Sequence, residues 1–349
     1  MPKALQRIPL KMVEDGCVLA LPILDEKGSV LLGKGVKLTS KYVDRLKRMG
    51  VDYICIETPG LELVSVENAI SQETVQFSIT DIRKTLNNVG LKKNFCLKEI
   101  EGTVESIIYD MLKNRNIMLD IQMIKHYDEY TYTHSLSVAA ISLAIGIKLG
   151  MNVDTLRNLG IGAILHDVGK LEIDKEILNK PGPLTKEEYE KIKQHSKIGY
   201  DLIKTCNAVL AAHVALQHQE RFNGSGYPRA VSKNDIHLFG RISAVADVYD
   251  ALTSERPQRP AWSSLEAYEY VVQGSGKQFD PRIIKLFQDS VTLYSNGMIV
   301  KLSTGENAIV VSQNDALPNR PVVFTLKNGA VNKKLDLKEI ENSHIVIAR

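Results

Sequence analysis

The apolar positions along the chain change rhythm three times. Up to about residue 60, short alternating runs are broken by turn residues: GCVLALPI, a turn at DEKG, SVLLGKG, a helical stretch over SKYVDRLKRM stopped by Gly50, and VDYICIE. Period-two runs predict strands, and a glycine just after a helical run supplies the left-handed residue that ends many helices. Residues 1–62 therefore read as a small α/β module. Residues 63–130 are polar and helical, with patches such as VESIIYDMLKNRNIMLDIQMI that suit a helical connector. Residues 131–292 are helical almost throughout by periodicity. The last stretch, 293–349, returns to alternation, and MIVKLSTGENAIVV and VVFTLKNGAV carry hairpin signals at Thr304-Gly305 and Asn328-Gly329. The expected fold class is mainly α, a helical domain flanked by an α/β module and a β-rich module.

Length and charge narrow the picture. At 349 residues the chain has room for roughly two or three domains with their own cores. Its 44 basic and 41 acidic residues nearly cancel to +3, with no long run of one sign. Direct binding of a nucleic-acid polymer is not expected, and any anionic ligand must be held locally. Cys17, Cys55, Cys96 and Cys206 lie far apart with neither zinc-site nor dithiol spacing, and no secretory start is visible. A reduced, cytoplasmic setting is expected. The most apolar segment, LSVAAISLAIGIKLG, is shorter than the about 20 residues needed to cross a bilayer and reads as a buried helix, so no membrane insertion is expected.

The eight histidines separate by helical phase. His134 shares a face with Val138, Ile141 and Ile145. The stripe Leu156, Leu159, Ala163 runs on to His166, Asp167 and Lys170. Thr185 and Glu188 mark a capping box, and the helix they start carries His195 in phase with Tyr189 and Ile192. Leu210, Val214 and His218 stand four apart, and Ala244, Asp247 and Ala251 form a small-residue face that allows close helix approach. A single inward histidine is usually a hydrogen-bonded core residue. Four of them with two inward aspartates are better explained by a shared cation, because a buried carboxylate is costly unless paired or metal-bound. Imidazole and carboxylate without thiolate suit Fe, Mn, Co or Zn. His126, His213, His237 and His344 read as surface or structural residues.

In order along the chain, YTHSLSVA, LHDVGKLEIDKEILNKPGPLT, HSKIGYDLI, HQERFNGSGYP and ISAVADVYDALTSERP resemble the HD-GYP family of bacterial metal-dependent phosphodiesterases. The resemblance spans about Tyr132 to Leu286 and implies a helical HD-type metallohydrolase domain that opens cyclic di-GMP to pGpG and on to GMP. Carried over by position, His134, His166, Asp167 and Asp247 would hold one metal, and Asp167 would bridge to a second held by His195 and His218. Two divalent transition metals, Fe or Mn, are implied. Lys170 would neutralise a phosphate oxygen, and Gly224, Gly226, Tyr227 and Pro228 would form a loop for substrate or for a GGDEF-domain partner; a homodimer is also admitted. The pattern departs from the family at Gln219, where an imidazole is usual, and at Asn223, where an aspartate is usual. Gln219 is a poorer ligand than imidazole, so the second metal is expected to bind more weakly. Tyr130 stands where some members place a third-metal glutamate, so two metals at most are expected. The alternatives are a degenerate domain that binds cyclic di-GMP or a GGDEF partner without turnover, and a hydrolase of another nucleotide phosphodiester.

Overall fold

The computed structural model describes residues 5–20, 22–24, 30–49, 51, 53–57, 68–91, 97–114, 118–125, 130–255, 260–314, 317–327 and 330–348. Residues 1–68 with 292–349 group into one compact unit and residues 69–291 into another.

In the first unit, the N-terminal part contains β1 (Leu5–Pro9), β2 (Val18–Leu19), β3 (Ile23–Leu24), β4 (Val30–Leu32), α1 (Ser40–Arg48) and β5 (Tyr53–Glu57). β5 is flanked by β1 and β2, both antiparallel to it, while β3 and β4 pair separately. Leu10, Leu19, Leu38, Leu46 and Ile54 fill the core beneath them. β1 has no counterpart in the sequence reading, because a five-residue strand becomes one only through its partner β5, far along the chain. The DEKG turn, Gly50, Cys96, His126 and the Asn328-Gly329 turn fall outside the described residues. The C-terminal part is an antiparallel meander in order β6 (Ile299–Lys301), β7 (Asn307–Ser312), β8 (Val322–Lys327) and β9 (Ala330–Asp336). Gly305, at φ +87°, makes the first of its turns, at the expected Thr304-Gly305 position.

The second unit is helical: α2 (Gln72–Gly90), α3 (Lys98–Lys113), α4 (Tyr130–Lys148), α5 (Val153–Ile164), α6 (Lys175–Leu178), α7 (Lys186–Lys204), α8 (Val209–Gln217), α9 (Leu238–Thr253), α10 (Ser264–Gln273) and α11 (Pro281–Gln288). α4 is buried from Thr133 through Leu143 on every side, as a helix without a polar face must be. It packs against α2, α5, α9 and α11. α2 and α3, within the segment read as a connector, place Ile79, Ile82, Ile100, Val104 and Ile107 in the same hydrophobic core as α4 and α5.

Two details of the helical reading change. The stripe through Leu156, Leu159 and Ala163 does not carry His166, Asp167 and Lys170 on the same helix: α5 stops at Ile164, and Val168–Glu172 form a 3-10 turn. That tighter turn follows from packing, since a Cβ on Gly169 would lie 2.0 Å from the backbone oxygen of His195. Leu210 is half exposed in the first turn of α8, so the inward stripe there is Ala211, Val214 and Ala215, leading to His218. No helix among the described residues is long and apolar enough to cross a membrane.

Candidate metal centre

Five segments bring the predicted side chains together. α4 supplies His134, the turn after α5 supplies His166 and Asp167, and α7 supplies His195. His218 caps the C-terminus of α8, and α9 supplies Asp247. The capping box is formed as expected: Glu188 N donates to Thr185 Oγ1 (3.2 Å) and Thr185 N to Glu188 Oε2 (2.7 Å), fixing where α7 begins and hence the phase of His195. Small residues let these segments close in. A Cβ on Gly162 would lie 2.4 Å from the Ala211 oxygen of α8, and Gly169 meets α7 as described.

Asp167 lies at the middle of the cluster. Its Oδ2 is 3.4 Å from His166 Nε2 and 3.9 Å from His134 Nε2, while Oδ1 is 3.5 Å from His195 Nε2 and 3.6 Å from His218 Nε2. Asp247 Oδ1 faces the first pair, 3.4 Å from His134 Nε2 and 3.9 Å from His166 Nε2. Three overlapping groups can each hold a metal ion: His134, His166 and Asp167; His166, His218 and Asp247; Asp167, His195 and His218.

The outward ring nitrogens show which atoms are free for a cation. His166 Nδ1 lies 2.8 Å from Ala163 O, His195 Nδ1 2.6 Å from Ile192 O, and His218 Nδ1 3.0 Å from Ala215 O. A carbonyl only accepts, so each Nδ1 carries a hydrogen and each ring turns its Nε2 inward. His195 Nε2 and His218 Nε2 then face each other at 3.3 Å. Two ring nitrogens facing each other at that distance make a site for a positive charge. Burial pulls the His195 imidazole down to about 4, with His218 adding to the effect, so a proton on His195 does not supply it near neutral pH. His166 Nε2 and Asp167 Oδ1 are buried without a hydrogen-bond partner. The donor set and its orphaned atoms fit divalent cations.

Charge is balanced from within the protein as well. Burial opposes ionisation of Asp167, yet Lys170 and His166 hold its carboxyl well below the usual carboxylate range. The Lys170 ammonium sits 2.5 Å from Asp167 Oδ2 and remains partly exposed. Burial likewise opposes the charged form of His134, but Asp247 and Asp250 outweigh it and raise the imidazole to about 9.

The two departures from the family pattern have distinct surroundings. Gln219 Nε2 donates to Asp247 Oδ2 (3.1 Å), so the amide is tied to that aspartate. Asn223 is exposed and builds a turn, its Oδ1 accepting from Ser225 N (3.0 Å) and Ser225 Oγ (2.7 Å). The Asn223 side chain thus bonds within its own loop. Gly224 has φ +84°, and a Cβ on Gly226 would come within 2.3 Å of Arg221 N, so the loop folds back tightly on residues 219–221. Tyr227 ends it with its ring 6.2 Å from that of His195. Burial pushes its hydroxyl up, reinforced by Tyr189, so Tyr227 is a neutral phenol. Pro228 lies exposed beside it.

Two neighbours of the centre were not read from the sequence. Asp250 is fully buried on α9, with Oδ2 2.7 Å from His134 Nδ1. The i,i+3 spacing from Asp247 could have revealed it. Lys125, whose ammonium is 3.1 Å from Asp250 Oδ1, left no sequence signal, because packing alone joins it to α9. Tyr130 stacks on His134 with ring centroids 5.5 Å apart.

A helical bundle that gathers four histidines and two aspartates from five segments defines a metal-binding HD domain, and the HD domain family model matches residues 118–283. The chain is 36% identical over 212 residues to the cyclic di-GMP phosphodiesterase PA4108 of Pseudomonas aeruginosa, covering 60% of this chain and 51% of that protein. It is 36% identical over 257 residues to a cyclic di-GMP phosphodiesterase of Thermotoga maritima, covering 71% of this chain and 67% of that one. Its fold is also that of Bd1817, an HDG"Y"P protein from Bdellovibrio bacteriovorus, with a TM-score of 0.51 at 15% identity over 81% of this chain and 98% of that one. The chain belongs to the HD-GYP family of HD-domain proteins. It spans about half the length of the first of these relatives and about two-thirds of the second.

Proposed function

We propose that this protein is a metal-dependent phosphodiesterase that hydrolyses cyclic di-GMP to pGpG and further to GMP. The observation that carries the proposal is the pair of opposed Nε2 atoms, His195 and His218 at 3.3 Å, beside an Asp167 whose two oxygens face two different histidine pairs. In this reading His134, His166, Asp167 and Asp247 would hold one cation, and Asp167, His195 and His218 a second; the donors suit Fe, Mn, Co or Zn, and the family resemblance favours Fe or Mn. Bound there, cations would supply an activated water and offset charge developing on a phosphate. The chain's own groups do the rest. The four Nδ1 hydrogen bonds fix the ring orientations, Gln219 holds Asp247 in place, and Lys170 brings an ammonium to the mouth of the site for a phosphate oxygen. Tyr227 presents an un-ionised hydroxyl, able to donate to a phosphate or sugar oxygen. Pro228, Asn223 and Ser225, on the exposed side of the loop, are left for a GGDEF-domain partner.

The test is chromatography of cyclic di-GMP incubated with the purified protein and Fe(II) or Mn(II). Parent protein should yield pGpG, and Asp167→Asn should yield none and carry less metal. Retained metal with no turnover of cyclic di-GMP by the parent would sink the proposal.

A further inference from the structure

His166, His195 and His218 turn Nδ1 towards backbone carbonyls of their own local segments, whereas His134 depends on a side chain. Its Nδ1–H donates to Asp250 Oδ2 at 2.7 Å, and Asp250 is fully buried. A carboxylate in such a place needs a counter-charge, and one arrives from outside α9. The Lys125 side chain is nine-tenths buried, with its ammonium 3.1 Å from Asp250 Oδ1. It donates to Thr253 Oγ1 (2.6 Å) and Ser254 Oγ (2.9 Å), and Ser254 Oγ donates to Asp250 Oδ2 (3.2 Å). Lys125, the two hydroxyls and Asp250 thus form a connected set that reaches one histidine.

We infer that Lys125 is a positioning residue for the metal centre: its ammonium fixes the Asp250 carboxylate, which holds His134 with Nδ1 protonated and Nε2 turned towards Asp167 and Asp247. This rests on the cation-binding reading of the cluster. Lys125 stands just past Ile124, which caps the short helical turn Ile121–Met123, so the segment ahead of α4 contributes to the ordering of a ligand it never touches. An aspartate on a metal-bound histidine raises its basicity and fixes its tautomer, and losing such a partner typically lowers metal affinity about 10 to 100-fold.

The full chain is used for the test, with Mn(II) titration followed by electron paramagnetic resonance and nitrogen-15 NMR of labelled histidines in metal-free protein. Lys125→Met, which keeps length and removes the charge, should weaken Mn(II) binding about 10 to 100-fold and shift or broaden the His134 Nδ1–H signal. Lys125→Arg should keep most of both. The double variant Lys125→Met with Asp250→Asn removes both buried charges and should regain thermal stability without regaining affinity; it carries the test if Lys125→Met does not fold. Parent-like affinity in Lys125→Met, or recovery of affinity together with stability in the double variant, would overturn the inference. If the parent itself binds no Mn(II), the cation-binding reading fails. The NMR signal of metal-free protein still decides the role of Lys125: a His134 Nδ1–H unaffected by Lys125→Met refutes it.

Discussion

Gly169 controls how closely the segment carrying Asp167 approaches the helix carrying His195, and one methyl group tests whether that approach builds the centre. In Gly169→Ala the new Cβ would lie 2.0 Å from His195 O and 2.6 Å from Gly199 N, both backbone atoms that cannot rotate away. Ordinary contact begins at about 3.4 Å, so the 3-10 turn and α7 must part by about 1.4 Å. Overpacking of this kind costs about 1–3 kcal/mol, which in a domain of this size lowers Tm by roughly 3–10 °C. The consequence for the site is larger. Asp167 Oδ1 and His195 Nε2, now 3.5 Å apart, would lose the spacing that lets one cation touch both. Loss of one such ligand should weaken the second cation about 10 to 100-fold, with the first less affected. Gly102→Ala is the control, because Gly102 is exposed on α3 with nothing within 4 Å of the added atom. It should leave metal binding unchanged and slightly raise stability, since alanine is the better helix former by about 0.5–1 kcal/mol. Differential scanning fluorimetry and Mn(II) titration on parent and both variants give the answer. If Gly169→Ala binds two cations with parent affinity, the close approach of the turn to α7 does not set the metal geometry.

Three further outcomes are expected. Gln219→His should add an imidazole beside His218 while giving up the hydrogen bond to Asp247, raising occupancy of the second cation about 10 to 100-fold in affinity; unchanged stoichiometry and affinity in a metal titration would make Gln219 a holder of Asp247 only. A fragment of residues 69–291 should fold and bind metal, whereas one beginning near residue 100 should unfold readily, because it lacks Ile79, Ile82 and Leu86 of α2; circular dichroism melts separate the two. Asp280 accepts from Arg241 Nη1 (2.8 Å) and caps α11 through Arg282 N (2.9 Å); burial opposes its charge, but the contacts with Arg282 and Arg241 hold the carboxyl below its usual value. A depressed folded pKa gives stability that is present above the unfolded value of about 3.9 and lost as pH falls through the folded one. Asp280→Asn should therefore be less stable than parent at pH 7, with the gap in urea unfolding narrowing below about pH 4; a gap independent of pH would refute the assignment.

The separate elements of the site are legible in one dimension because their causes are local. The phase of His134 with Val138, Ile141 and Ile145, and the capping box at Thr185 and Glu188, depend on residues within a few turns of one another. Those same local patterns identify α4 as buried and place the histidines inward. The five motifs in order point to the HD-GYP family for the same reason: each is a short string with a fixed spacing. Where α5 ends is not local. Periodicity carries the stripe on through Lys170, and only the approach of α7 to Gly169 forces the 3-10 turn.

The tertiary structure alone decided which pairs meet. Asp167 divides its oxygens between two histidine pairs because four other segments converge on the turn after α5, and no spacing along the chain encodes that convergence. Lys125 meets Asp250 from 125 positions away, and its role rests on a burial that no spacing along the chain announces. That Gln219, a poorer metal donor than imidazole, also hydrogen-bonds Asp247 is visible only in the fold. Sequence thus determined the elements and the chemistry they carry, because propensity and periodicity act over one or two turns. The sharing of charge among those groups belongs to the fold, because Coulomb and hydrogen-bond energies depend on distances and burial that exist only once the helices have packed.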